Sequence, residues 1–169
     1  MLENITTQLL FSYLLIFCRT GATIMLLPGL SEGYIAPRAR LILALGLSLA
    51  IIPIIANKMP GLPESGIQFF LIIAKEILVG VFIGTVIKIL FSALHTAGMI
   101  IATQSGLASA MLFDPTQGEQ GSSMGIFLIF LGIMIIFAAN LHHLFILGIV
   151  DSYTLFPPSI ALPIGGFSE

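Results

Sequence analysis

Between Ile67 and Ile101 the chain runs for some 35 residues of almost unbroken apolar sequence, interrupted by Lys75, Glu76, Lys88 and His95. As one helix rising 1.5 Å per residue this stretch would reach about 50 Å, well beyond the roughly 30 Å of hydrocarbon in a bilayer. It must tilt, bend or leave the bilayer. Composition puts the whole chain in the same setting, since 57% of its 169 residues are hydrophobic and 8% are charged, against roughly 45–50% and 25% in soluble domains. The net charge is −2 and the six basic residues are scattered. That pattern lacks the basic stripe nucleic-acid binding requires, so no nucleic-acid partner is expected.

Three further apolar stretches, Gln8–Leu27, Leu41–Ile55 and Gly125–Val150, are separated by segments such as PGLSEGYIAPRAR and NKMPGLPESG, whose Gly, Pro, Ser and Asn punctuate helices. The pattern predicts an all-α, polytopic membrane-type helical bundle of about four long, bent helices, forming a single domain over residues 1–169. Only the fourth stretch comfortably exceeds 18 uncharged residues. The first contains Arg19, and the second has Pro53 and about 17 uncharged residues between Arg40 and Lys58. MLENITTQLL lacks the basic region and small-residue cleavage site of a signal peptide, so it is expected to be retained as the start of the first helix. Cys18, the sole cysteine, reads as a small buried hydrophobe. Arg38 and Arg40 favour a cytoplasmic first connection.

A charge near the middle of a membrane costs at least about 2.5–3.5 kcal/mol, so such residues face protein or water. Glu76 and Lys88 are twelve residues apart, about 18 Å along a helix, too far for a direct pair. Lys75 and Glu76 point about 100° apart, so at least one needs a partner elsewhere. The expectation is that these charges find counterparts on other polypeptides or in a wet passage, with the chain as one subunit of a larger packed object. Glu76, Gly80, Gly84 and Lys88 recur every four residues, and two glycines at that spacing let another helix backbone approach closely. Arg19 either snorkels toward an interface or makes a buried contact with a carboxylate or helix C-terminal carbonyls, within the chain or across a subunit boundary. Arg19, Lys75, Glu76, Gly80, Gly84 and Lys88 are the candidate packing and interface residues.

Asp114, Glu119, Asp151, His142 and His143 invite an enzymatic reading. The adjacent histidines point in different directions, and no H-E-x-x-H, G-x-S-x-G or phosphate-binding glycine pattern occurs. No enzymatic activity, metal or cofactor is expected. A small proton- or solute-coupled membrane transporter, relaying through Glu76, Lys88 or His95, is the alternative. Four helices without an internal repeat are few for alternating access.

Several ordered motifs are similar to those of the FliR family, the R component of the flagellar and type III protein export gate. They are FCRTGATIMLLPGLSEGYIAPRARLILALGLSLAIIP, KEILVGVFIG, HTAGMIIATQSGLASAMLFDP and NLHHLFILGIVDSYTLFP with LPIGG, collinear along essentially the whole sequence. The T-A-G, Q-x-G-L and D-P details look more like the flagellar than the injectisome branch. Members of the family continue beyond the equivalent of LPIGG with a further helix pair resembling the small Q component. The portion present here corresponds to the part resembling the P component. The resemblance implies a structural subunit in the bacterial inner membrane, at the flagellar basal body, assembled with P and Q components and near the B component. Its cargo would be translocated unfolded proteins, and membrane lipid would surround it.

The resemblance also bears on the glycine-rich stretch between the third and fourth helices. By composition alone it is a flexible connection. The family places a loop at this position inside the channel, which makes residues 106–124 a candidate pore plug. Gly106, Gly118 and Gly121 supply backbone freedom, Met111, Leu112 and Phe113 supply yielding apolar bulk, and Asp114 with Pro115 favours a turn.

Overall fold

A computed structural model of the chain describes residues 2–30, 35–55, 58–63, 65–106 and 123–158. They form five helices, with no strand among the described residues: α1 Leu2–Leu26, α2 Pro37–Ile55, α3 Gly66–Gln104, α4 Ser123–Ala138 and α5 His142–Leu155. The all-helical expectation holds. Three helices, over Thr6–Leu26, Pro37–Ile55 and Gly66–Gln104, are long and apolar enough to cross a membrane.

The fourth apolar stretch departs from expectation. Although its composition is the most favourable for a span, it is broken into α4 and α5, which meet at 79°. Asn140 at the break has a φ of 57°, the left-handed region that asparagine tolerates better than other non-glycine residues. Its N–H reaches the Phe137 carbonyl at 3.1 Å, and the N–H of Leu141 reaches Ile136 at 2.9 Å. These bonds satisfy backbone groups that the interrupted helix would leave orphaned.

Helix α1 packs on α2 along one side and on α3 along another. Ile16 of α1 joins Ile51 and Ile55 of α2 and Ile149 and Tyr153 of α5 in one buried cluster. Phe11 and Leu15 of α1 meet Ile72 of α3 in a second. Pro53 lies in the last turn of α2, two residues before the helix ends at Ile55, so the backbone bond it forfeits leaves little helix beyond it to kink. Tyr13 Oη donates to the Leu45 carbonyl at 3.3 Å, a polar tie between α1 and α2.

At 39 residues, α3 has a contour of about 58 Å, longer still than the sequence suggested. Its first half lies against α1 and its second against α4. The returning α5 brings Ser152 and Tyr153 into the interior beside α1. Between α1, α2, α4 and α5 the packing leaves a cavity of about 630 Å³, lined by apolar residues including Ile24, Leu47, Ile133 and Ile149, with His142 on its wall.

The left-handed residue at the break gives a direct test. Asn140→Gly is expected to leave thermal stability in detergent nearly unchanged. Asn140→Val forces a branched side chain into that conformation and should lower stability by about 1–2 kcal/mol.

Candidate functional site

Among the described residues one cation is fully buried. Arg19 is completely inaccessible, as is Glu76 of α3. The two form a two-point ion pair, with Nε to Oε2 at 2.7 Å and Nη2 to Oε1 at 2.9 Å. Parallel N–H bonds to both carboxylate oxygens are the strong geometry for this pair. Two more donors are satisfied from α5, where Nη1 donates to Ser152 Oγ at 3.0 Å and Nη2 donates to the Phe156 carbonyl at 2.8 Å. The guanidinium carbon lies 3.9 Å from the centre of the Tyr153 ring, close enough for a cation–π contact. Phe156 is the residue that closes α5, so the cation also sits at the negative end of that helix.

Of the two readings of Arg19, the buried contact is the one observed, and the carboxylate and the helix-end carbonyl are both present within the chain. For these two residues this corrects the expectation that the embedded charges find counterparts on other polypeptides or in a wet passage. Arg19 and Glu76 compensate each other internally. Lys75 also finds a partner in the same chain, donating from Nζ to the Pro157 carbonyl at 3.0 Å. The neighbours Lys75 and Glu76 thus both reach elements remote in sequence.

At the glycine pair of α3 the helix that approaches closely is α1. A Cβ on Gly80 would collide with the Arg19 carbonyl and stand 2.8 Å from Ala22 Cβ, and one on Gly84 would stand 2.7 Å from Leu26 Cβ. Thr23 Oγ1 bridges the approach, donating to the Arg19 carbonyl at 2.9 Å and lying 3.2 Å from the Gly80 carbonyl. The stripe therefore holds Glu76 against Arg19. Lys88, the fourth member in sequence, lies outside this packed face and is exposed.

A second close approach fixes the stem of the glycine-rich stretch. A Cβ on Gly98 of α3 would collide with the Gly125 backbone of α4, and one on Gly125 would lie 2.9 Å from His95 Cδ2. Beyond this crossing α3 ends at Gln104; Ser105 Oγ donates to the Ile101 carbonyl at 2.7 Å, and Gly106 takes a φ of 74°. Gly106 is the one candidate plug residue inside the described region. Met111, Leu112, Phe113, Asp114, Pro115, Gly118 and Gly121 lie outside the described residues. What the structure defines is the pair of helices from which that segment leaves and to which it returns.

Sequence reasoning missed Ser152, Tyr153, Thr23 and the Phe156 carbonyl. The signal available was the spacing of Ile149, Ser152, Tyr153 and Phe156, one face of a helix, but nothing in it points to Arg19. His142 and His143 pack ring to ring with centroids 4.2 Å apart, and His142 stacks on Phe137 at 5.1 Å. No group of three histidine, cysteine or acidic residues placed to hold a metal occurs among the described residues.

Residues 10–168 match the family described as bacterial export proteins, family 1. The chain belongs to that family. It is 36% identical over 150 residues to the flagellar biosynthetic protein FliR of Caulobacter vibrioides, covering 89% of this chain and 60% of that protein. It is 31% identical over 166 residues to Yop proteins translocation protein T of Yersinia pestis, covering 96% and 62%. With FliR of Bacillus subtilis it shares 28% identity over 160 residues, covering 95% and 61%. The chain thus spans about three-fifths of the length of these export proteins.

Stability measurements can isolate the buried pair. Arg19→Leu and Glu76→Leu are each expected to cost about 3–5 kcal/mol by stranding the other charge, while the double variant should cost clearly less than the sum. Strict additivity would show that the pair is uncoupled. Gly80→Leu should destabilise by at least about 1–3 kcal/mol through overpacking. Gly46→Leu is the control, because an added Cβ there meets nothing within 4 Å.

Proposed function

We propose that this chain forms part of a structural subunit of the flagellar type III protein export gate in the bacterial inner membrane, at the flagellar basal body. The observation that carries the proposal is the 36% identity to a flagellar FliR over 89% of the chain, collinear with a family match that takes in every described helix but the start of α1. In this reading the chain is not an enzyme and uses no cofactor. It joins P and Q components, with the B component nearby, around a conduit for unfolded proteins driven by energy supplied elsewhere.

The packing supports a subunit over a self-contained transporter. Glu76, the strongest candidate for a proton relay, has both carboxylate oxygens engaged by Arg19 and no exposure. Large apolar side chains such as Phe70, Leu78, Leu90 and Met134 remain exposed along α3 and α4. Such surface calls for lipid or neighbouring helices. The Yersinia relative, named for translocation of Yop proteins, keeps an injectisome subunit as the second reading.

In this reading residues 106–124 close the conduit, held at both ends by the Gly98–Gly125 crossing. Deleting 106–122 from the full-length protein in an intact export system should make the membrane leak small solutes. A tight membrane with normal secretion would overturn the plug.

A further inference from the structure

Beyond Gly84, α3 carries a line of polar side chains that its packing leaves uncovered. Thr85, Lys88, Ser92, Thr96 and Thr103 are all exposed. At 100° per residue they fall within a sector about 80° wide, with Met99 as its one apolar member. The line is about 27 Å long, close to the roughly 30 Å of bilayer hydrocarbon. It lies about 100° around the helix from Gly80, Gly84, Gly98 and Ala102, the buried positions of α3. Exposed positions elsewhere on the same turns, Val86, Leu90, Ile100 and Ile101, are apolar.

The hydroxyls and the lysine are satisfied differently. Ser92 donates to the Ile89 carbonyl at 2.7 Å, Thr96 to Ser92 at 2.9 Å and Thr103 to Ile100 at 2.8 Å. Each spends its proton within the helix and keeps lone pairs facing outward. Lys88 has no partner among the described residues, and an ammonium facing lipid near mid-membrane costs at least about 2.5–3.5 kcal/mol. A cation aligned with four hydroxyls, on a helix whose other exposed side chains are apolar up to the terminal Gln104, matches a wall in contact with water. The line runs directly into Gly106 and the segment between α3 and α4.

Resting on the export-gate reading, we propose that the α3 sector of Thr85, Lys88, Ser92, Thr96 and Thr103 faces the water-filled passage of the assembled gate. Lys88 gives that wall a fixed positive charge. The hydroxyls of Ser92, Thr96 and Thr103, already bonded to their own helix, offer an extended polypeptide wet contact without strong hold, as a non-selective passage requires.

Cysteine accessibility in the assembled gate tests this. The full-length protein carries Cys18→Ser and single substitutions Thr85→Cys, Ser92→Cys, Thr96→Cys or Thr103→Cys, with Leu90→Cys and Ile101→Cys as controls. Cells are treated with anionic and cationic membrane-impermeant thiosulfonates during active secretion. The stripe positions should label at least about tenfold faster than the controls. Ser92→Cys should favour the anionic reagent about threefold or more, as expected for a unit charge one helical turn away in water, and Lys88→Glu should reverse that preference. Stripe positions that stay unlabelled, or label no faster than the controls, in cells whose secretion is normal would overturn the proposal and show the face covered by protein or lipid. Where one cysteine blocks secretion, the other stripe positions carry the measurement. Failure of the unmodified full-length protein to restore export in cells lacking their own R subunit would instead overturn the export reading.

Discussion

A guanidinium sealed from water must be met on every side by the chain around it, and Arg19 imposes that requirement on three helices at once. Glu76 supplies both oxygens from α3, while Ser152, Tyr153 and the Phe156 carbonyl close the site from α5. Removing two charges from water costs several kcal/mol per ion, which only close geometry and further hydrogen bonds offset. The small residues around the pair follow from this. For Glu76 to reach Arg19, α3 must pass against the backbone of α1, and only a residue without Cβ fits where Gly80 meets the Arg19 carbonyl. The pair and the crossing are one device, in which the ion pair sets the register and the glycines permit the distance.

Much of this was legible in the sequence. Apolar run lengths placed α1, α2 and α3, and the cost of an embedded charge singled out Arg19 and Glu76 before either had a partner. The kinds of contact made by Arg19 were foreseeable from its chemistry, but their addresses were not. Helical spacing tells which residues share a face and not which face lies opposite, so Ser152 and Tyr153 had no visible link to a residue over a hundred positions away. The same limit explains why the counterparts of Arg19 and Glu76 were expected on other chains or in a wet passage and not in each other. Lys88 illustrates the geometry. Each step of four residues advances a helix by about 40°, so by the third step from Glu76 the side chain has turned about 120° and left the packed face.

The break at Asn140 was hidden for a different reason. The surrounding AANLHH contains neither glycine nor proline, and a single left-handed asparagine is only a weak local signal. Yet the break matters to the interior, because the 79° turn sends α5 back to deliver Ser152 and Phe156 to Arg19. The Gly98–Gly125 crossing was likewise unmarked by any regular spacing, since its two glycines sit on different helices.

The length of α3 determines how the molecule can settle in a membrane. With a contour of about 58 Å against a hydrocarbon slab of roughly 30 Å, an upright α3 would leave close to half its length outside at any depth. Its two ends give lipid no preference to act on, because Ile67, Phe70 and Leu71 at one end and Met99, Ile100 and Ile101 at the other are all exposed and oily. Sliding the helix up or down trades one greasy terminus for the other. Vertical position is therefore left undetermined by the bilayer, and companion subunits gripping those termini would decide how high the molecule rides.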